Sequence, residues 1–116
     1  MWSWSSRDVI YQGNEIAFIR DGGRGDRTAF DYDSHCSGYQ IHQYNYTHHN
    51  SGGQMLHMNG LSSSDIENYI PNTKINRFNI SAYEPFETWC SANTKLSFVY
   101  NNVYYRSVLS TTIKKC

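Results

Sequence analysis

The histidines are the residues of this chain best suited to chemistry, because all five of them lie between residues 34 and 57. That stretch, SHCSGYQIHQYNYTHHNSGGQMLH, contains no Asp, Glu, Lys or Arg. Histidine ligates metals, transfers protons and changes its charge near physiological pH. The cluster therefore indicates a metal site, an acid–base site, a pH-sensing surface, or a polar segment whose histidines have no coupled role.

A metal site would use His35, Cys36, His42 and His48, which could converge if this part of the chain folds back on itself. A tetrahedral zinc site needs three or four such ligands at one point. The chain has neither a Cys-x-x-Cys pair nor any recognised spacing of histidine ligands. We therefore predict no metal and no cofactor, and we keep this set as an alternative.

Acid–base chemistry on RNA would need proton-transferring groups and a cation that stabilises the charged phosphate. The chain offers Tyr46, His48, Glu67 and Arg77, in that order. It has no histidine after His57 that could act as a second base. A small secreted nuclease is therefore the alternative, and we expect a protein that is not an enzyme.

The same stretch has the composition of a recognition surface. Tyr provides contact area at a small cost in conformational entropy, and Asn, Ser and Gly adapt their hydrogen bonds. We predict that the chain binds a protein or a glycan through six residues, namely Tyr39, Tyr44, Tyr46, His48, His49 and Asn50. The competing interpretation is that these are ordinary strand residues, since strands favour Tyr in any case.

A pH switch is a further alternative for the same residues. Between Ser34 and Ser64, histidine is the only side chain whose unperturbed pKa lies between about pH 5 and 8. Acidification would therefore charge an otherwise neutral region.

Composition favours one β-rich domain that spans residues 1–116. The chain is 39% apolar and 16% aromatic, which argues against disorder. Its ten tyrosines and many Asn and Ser residues favour strands and turns. The formal net charge of zero argues against a general nucleic-acid binder. No apolar run is long enough to span a membrane.

Several features favour secretion of the mature form, although MWSWSSRDVI has no signal-peptide pattern. We predict a disulfide between Cys90 and Cys116, which leaves Cys36 as a thiol; a Cys36–Cys90 pair is the second choice. Two sequons begin at Asn45 and Asn79. We accordingly expect a toxin-like or host-interaction protein, whose partner belongs to a host or a competitor.

The order of strand and turn signals predicts an antiparallel β sandwich or open barrel of about seven to eight strands. Segments 15–20 and 27–32 read as one hairpin, and 95–113 reads as another around Asn101–Asn102. A capping box that begins at Ser64 predicts one short helix near residues 64–70. We detect no internal repeat.

Overall fold

The computed structural model describes residues 1–20, 28–32, 36–57, 72–86, 88–90, 96–106 and 108–109. The predicted helix near 64–70, with Glu67, lies outside these residues, and so do His35 and Cys116. The Cys90–Cys116 disulfide therefore stays a prediction. In the part of the chain that the structure describes, no helix is long and apolar enough to cross a membrane.

The described strands fall into four successive coils of similar plan. The first coil consists of β1 (Trp2–Ser3), β2 (Arg7–Gln12) and β3 (Glu15–Ala17). The second consists of β4 (Phe30–Tyr32), β5 (Ser37–Gln43) and β6 (Tyr46–His48). The third consists of β7 (Met55–His57), β8 (Asn72–Arg77) and β9 (Ile80–Ala82), followed by β10 (Pro85–Phe86). The fourth consists of β11 (Thr88–Cys90), β12 (Leu96–Tyr100) and β13 (Val103–Tyr105), followed by β14 (Val108–Leu109).

Each strand pairs in parallel with its counterpart in the neighbouring coil. Sheet A has the order β1-β4-β7-β11, sheet B the order β12-β8-β5-β2, and sheet C the order β13-β9-β6-β3. Strands β10 and β14 form a separate parallel pair. The coils thus stack along one axis as a parallel β-helix, with neighbouring coils about 4.8 Å apart.

The predicted antiparallel sandwich or barrel is therefore wrong, although the chain is mainly β as expected. The described strands of both segments do not pair as hairpins: β12 pairs with β8, and β13 pairs with β9. Similarly, β3 pairs with β6, and β4 pairs with β1 and β7. The alternation of residues along a strand is the same in parallel and antiparallel sheets, so it could not reveal this difference.

Single residues with positive φ bend the chain from one sheet to the next. The first corner, between sheets B and C, has such a residue in every coil: Gly13, Tyr44, Phe78 and Asn101, with φ of 66°, 56°, 55° and 54°. The second corner, after sheet C, has Phe18, His49, Tyr83 and Arg106, with φ of 62°, 54°, 55° and 48°. Non-glycine residues rarely adopt this conformation, so the recurrence at equivalent positions marks a structural repeat.

An asparagine follows each residue of the first corner, and its side chain connects neighbouring coils. The backbone N–H of Asn14 donates to Asn45 Oδ1 at 3.0 Å, that of Asn45 to Asn79 Oδ1 at 2.9 Å, and that of Asn79 to Asn102 Oδ1 at 2.9 Å. These four asparagines form the Asn ladder. The ladder satisfies backbone groups that the bend would otherwise leave unpaired.

The space inside the coils is unusually polar. Tyr11, Ala29 and Phe30 form a small buried apolar cluster. Most other fully buried side chains are polar: Gln40, His42, Asn45, Thr47, Lys74, Asn76, Asn79 and Glu84. Buried polar groups of this number require a nearly complete internal hydrogen-bond network.

The asparagine of each predicted sequon belongs to this interior network. Asn45 is 2% exposed and Asn79 is 1% exposed, and both side-chain amides take part in the Asn ladder. Neither amide nitrogen can carry a glycan in the folded chain. The sequons therefore no longer support secretion, which stays a prediction.

Candidate interaction face

Sheet C presents a broad outer surface, because alternate residues of its strands point away from the interior. One outward row contains Glu15, Tyr46, Ile80 and Val103, which the strand register aligns across the four coils. A second row contains Ala17, His48, Ala82 and Tyr105, in which Ala82 is only 4% exposed, and the second corner adds Phe18, His49, Tyr83 and Arg106. We call these twelve residues the sheet C face.

Much of the sheet C face is apolar and exposed. Ile80 and Val103 are 48% and 57% exposed, and Tyr105 is 50% exposed. The four coils give this face a length of about 14 Å along the helix axis. Glu15 and Arg106 are its only residues with a permanent charge, and they lie at opposite ends, in the first and fourth coils. Its centre is therefore a continuous uncharged surface.

Aromatic rings stack along the second corner, one from each of the first three coils. The ring centroids of Phe18 and His49 are 5.3 Å apart with a 21° angle between planes. Those of His49 and Tyr83 are 4.8 Å apart with an 18° angle. Tyr83 then meets Tyr105 edge to face at 5.5 Å. This ring ladder stabilises the strained corner, because ring pairs in such geometries attract each other.

Arginines lie at both ends of the ring ladder. The guanidinium carbon of Arg20 is 5.8 Å from the centroid of Phe18. That of Arg106 is 5.8 Å from the centroid of Tyr83 and 5.4 Å from that of Tyr105. These are cation–π distances. The ladder therefore ends in positive charge on both sides.

Two consecutive histidines lie on this face and touch each other. His48 Nδ1 and His49 Nδ1 are 2.8 Å apart, and His48 Nε2 is 3.1 Å from Glu15 Oε1. Adjacent strand residues normally point to opposite sides of a sheet. The positive φ of His49, 54°, turns its ring back to the side of His48. The corner thereby produces a Glu15–His48–His49 chain that no strand could form.

A second set of rings lies at the first corner, beside the sheet C face. Tyr44 and Phe78 stack at 5.4 Å with a 7° angle, and Phe78 meets Tyr100 at 6.0 Å. Arg77 covers Phe78 at 5.6 Å, and its Nη1 donates to Tyr100 Oη at 3.0 Å. The sheet C face thus has an aromatic border on both sides.

A buried carboxylate supports the second corner from inside. Glu84 Oε1 accepts hydrogen bonds from the hydroxyls of Thr47 and Ser81 at 2.5 Å each, and Glu84 Oε2 accepts one from Asn50 Nδ2 at 2.8 Å. Asn50 Oδ1 accepts the backbone N–H of Ile19 at 3.0 Å. Burial raises the pKa of Glu84, and these hydrogen bonds oppose the rise.

The structure separates the six residues predicted to bind a partner. Tyr46, His48 and His49 belong to the sheet C face, and Tyr44 borders it. Tyr39 is 59% exposed, but it lies on sheet B. Asn50 is 3% exposed and its amide serves the internal network, so it offers nothing to a partner.

The predicted nuclease residues are only partly assembled. Tyr46 and His48 stack at 4.6 Å, whereas Arg77 is on sheet B and donates to Gln43 Oε1 at 2.9 Å. Glu67 lies outside the described residues. Both ring nitrogens of His48 are already hydrogen-bonded, by Glu15 and His49. In this arrangement His48 has no nitrogen left to take a proton from a substrate.

Of the alternative metal ligands, the three that the structure describes, Cys36, His42 and His48, do not meet. Cys36 and His42 are buried inside the coils, and the Cys36 sulfur lies 3.7 Å from Ser3 Oγ. His48 is on the outer face of sheet C. Among the described residues, no group of three or more His, Cys, Asp or Glu side chains could hold a metal ion.

The sequence-based prediction missed most of the sheet C face, including Phe18, Ile80, Tyr83, Val103 and Tyr105. A signal for it was present. The motif of an asparagine, an outward residue and an inward residue recurs as Asn14-Glu15-Ile16, Asn45-Tyr46-Thr47, Asn79-Ile80-Ser81 and Asn102-Val103-Tyr104. Aligning these four motifs would have placed one outward row of the face.

The fold and this surface define the chain as a parallel β-helix with an apolar outer sheet. No family model, no curated protein and no solved structure matches the chain. Its function has therefore to be argued from its own residues.

Proposed function

We propose that this chain is a binding module that docks a protein partner on the sheet C face. The observation that carries the proposal is the exposed row of Tyr46, Ile80 and Val103. The ring ladder borders this row on one side, and the rings of the first corner border it on the other. Contiguous exposed apolar surface with aromatic residues is typical of protein interfaces. Secretion and a host or competitor partner belong to the proposal, and the predicted Cys90–Cys116 disulfide is the feature that still supports secretion.

A protein partner is favoured over a glycan because of how the rings are oriented. Sugars pack their apolar sides onto the open face of an aromatic ring. At the second corner His49 is stacked between Phe18 and Tyr83, so the faces of these rings cover one another. The rings offer their edges outward, while Ile80 and Val103 offer aliphatic surface. Aliphatic surface and ring edges suit the side chains of a protein better than the rings of a polysaccharide.

Two isoleucines in equivalent settings allow a matched test. Ile80 is 48% exposed on sheet C, and Ile10 is 54% exposed on the outer side of sheet B. Peptides would be selected from a display library against the wild-type chain. We expect the Ile80→Glu variant to lose at least about tenfold in affinity for these peptides, which equals about 1.4 kcal/mol. The Ile10→Glu variant should bind them as the wild type does.

The same preparations should be applied to a glycan array. If the array retains the wild type and the Ile80→Glu variant loses that binding, the partner is a glycan and the choice of a protein is wrong. If peptides bind both glutamate variants equally well, the sheet C face is not the docking surface.

A further inference from the structure

We propose that Glu15, His48 and His49 form a proton-sharing chain, and that a second proton on the two histidines breaks the ring ladder. This proton-sharing chain would make docking on the sheet C face sensitive to acid. That regulatory role rests on the proposed function, whereas the proton sharing itself does not. The argument uses the hydrogen-bond geometry of the three side chains.

The contact between the two rings is a direct hydrogen bond. The two Nδ1 atoms are 2.8 Å apart, and the ring centroids are 5.1 Å apart at an angle of 86°. Adding the radius of an imidazole ring at each end of the 2.8 Å contact gives nearly the whole centroid separation. Each Nδ1 therefore points at the other, as in a linear N–H···N bond. Two ligands of one metal ion would instead point at a third position between them.

The carboxylate determines where the protons lie in the neutral pair. Glu15 Oε1 can only accept, so His48 Nε2 carries a hydrogen and donates it. Neutral His48 then has an unprotonated Nδ1, which must accept from His49 Nδ1–H. The lone pair of exposed His49 is consequently on Nε2. One carboxylate thus specifies the tautomers of two rings.

A first proton from solvent fits this chain without breaking it. It adds to His49 Nε2, and the Nδ1 hydrogen of His49 still donates to His48. That hydrogen can also shift to His48 Nδ1, which moves the positive charge next to the Glu15 carboxylate. Every hydrogen bond is kept in both forms, so the single positive charge is shared by the two rings.

A second proton has no site outside the contact. The only ring nitrogen of the pair that is still unprotonated is the Nδ1 that accepts the hydrogen bond. With a second proton there, both Nδ1 atoms would carry hydrogens that face each other at 2.8 Å. Two imidazolium groups cannot remain in that contact. The two rings must then separate, and His49 is the ring that moves, because it is exposed whereas His48 is half-buried and stacked on Tyr46. Since His49 is stacked between Phe18 and Tyr83, this movement takes it out of the ring ladder.

One carboxylate, several aromatic rings and two arginines surround the pair of histidines. On β3, Glu15 is the only anion that contacts the pair, and on β6 Tyr46 stacks on His48. At the second corner, Tyr83 covers His49, and Arg106 lies over Tyr83. Arg20 lies over the other end of the ladder, on Phe18. Tyr105 packs against Tyr83, and Glu84 lies beneath in the interior, bonded to Asn50. Glu15 thus contacts His48 directly, whereas the two arginines contact the rings that stack on His49.

The tautomers can be measured on the full chain without any partner. Long-range proton–nitrogen NMR spectra at about pH 7.5 should show His48 protonated on Nε2 and His49 protonated on Nδ1. On acidification to about pH 4.5, uptake of the second proton should coincide with a change in the ring shifts of Phe18 and Tyr83. Finding His49 protonated on Nε2 at the higher pH would overturn the proposal, and so would a ladder unchanged in the doubly protonated state.

Two variants test the histidine and the carboxylate of the proton-sharing chain separately. His49→Phe keeps an aromatic ring at position 49, and phenylalanine adopts positive φ at two other corner positions, Phe18 and Phe78. In this variant the ring ladder should form but should no longer respond to acid. Glu15→Gln replaces a pure acceptor by an amide that can also donate, so His48 should populate both tautomers. If His48 keeps one tautomer in Glu15→Gln, the carboxylate does not direct the pair.

Docking is then tested with the peptides selected on the wild type. Between about pH 7.5 and 4.5 the wild type should lose at least about tenfold in affinity, whereas His49→Phe should lose little. Equal losses in both proteins would overturn the regulatory role while leaving the NMR result standing. If no peptide binds at neutral pH, the proposed function fails, and the tautomers still decide the proton-sharing chain.

Discussion

Asn79 receives the backbone N–H of Asn45 on its side-chain oxygen, at 2.9 Å, although the two residues belong to different coils. The amide nitrogen of Asn79 donates in turn to His42 O at 3.1 Å, Asn76 Oδ1 at 2.8 Å and Asn102 Oδ1 at 2.9 Å. One buried side chain thus connects backbone or side-chain groups of the second, third and fourth coils. The sheet C face depends on this ladder, because the ladder determines how the coils bend at the first corner.

Replacing Asn79 by alanine should destabilise the whole fold. The change leaves the buried N–H of Asn45 and the carbonyl of His42 without their partners, and each such loss costs about 1–3 kcal/mol. We expect the free energy of unfolding, measured in urea, to fall by at least about 2 kcal/mol. Asn101→Gly is the matched control, because Asn101 is exposed at φ 54° and glycine adopts that φ freely. An equal loss in the control would contradict a special role for the ladder.

Glu84 predicts a pH-dependent difference from its neutral isostere. Burial raises its pKa, so the folded chain holds this proton more firmly than the unfolded chain does. The stabilising contribution is therefore complete below the unfolded pKa and is lost as the pH rises through the folded pKa. The stability of the wild type relative to Glu84→Gln should accordingly be greatest in acid. Urea unfolding of both proteins at several pH values checks this prediction. If the stability of the wild type relative to Glu84→Gln increases as the pH rises, the prediction is wrong.

The sequence predicted strands correctly because alternation and tyrosine content reflect burial on one side of a sheet, whatever the strand direction. It did not reveal the repeat, because the coils differ in length: Tyr46 pairs with both Glu15 and Ile80, and Ile80 pairs with Val103, at unequal separations. Asparagines at corners were interpreted as hairpin turns and sequons, which share the same local conformational preferences.

The contact surface was predicted in part for a physical reason. Tyr44, Tyr46, His48 and His49 surround one corner, so a continuous stretch of sequence supplied neighbouring side chains. Residues from the other coils, such as Phe18 and Tyr83, reach the same surface only through pairing between distant strands. The His48–His49 contact additionally requires the positive φ of His49, which no propensity of histidine predicts strongly.

Lys74 gives a prediction at alkaline pH. It is fully buried, and burial lowers its pKa from 10.5 to about 8. Between these two values the unfolded chain holds the proton and the folded chain does not, so the free energy of unfolding should rise with pH by up to about 1.4 kcal/mol per unit. Lys74→Met should remove this rise, and exposed Arg7→Met should retain it. If Lys74→Met keeps the same pH dependence as the wild type, Lys74 is not the group that releases the proton.

His42 gives the opposite behaviour in acid. Its ring lies fully inside the coils, 4.3 Å from the ring of Phe30, and burial lowers its pKa from 6.5 to about 3. Below about pH 6.5, His42 is therefore protonated in the unfolded chain but stays neutral in the folded chain. Stability should be lost as the pH falls from 6.5 towards 3, by up to about 1.4 kcal/mol per unit.

His42→Phe tests this cause, because it keeps an aromatic ring at the same interior position and removes the titrating nitrogens. The variant should lose less stability than the wild type between about pH 6.5 and 4.5, as measured by urea unfolding at several pH values. Tyr39→Phe is the comparison, since it changes an exposed ring on sheet B and removes no group that titrates in acid. If His42→Phe and Tyr39→Phe keep the same acid dependence as the wild type, the proton uptake that limits stability does not occur on His42.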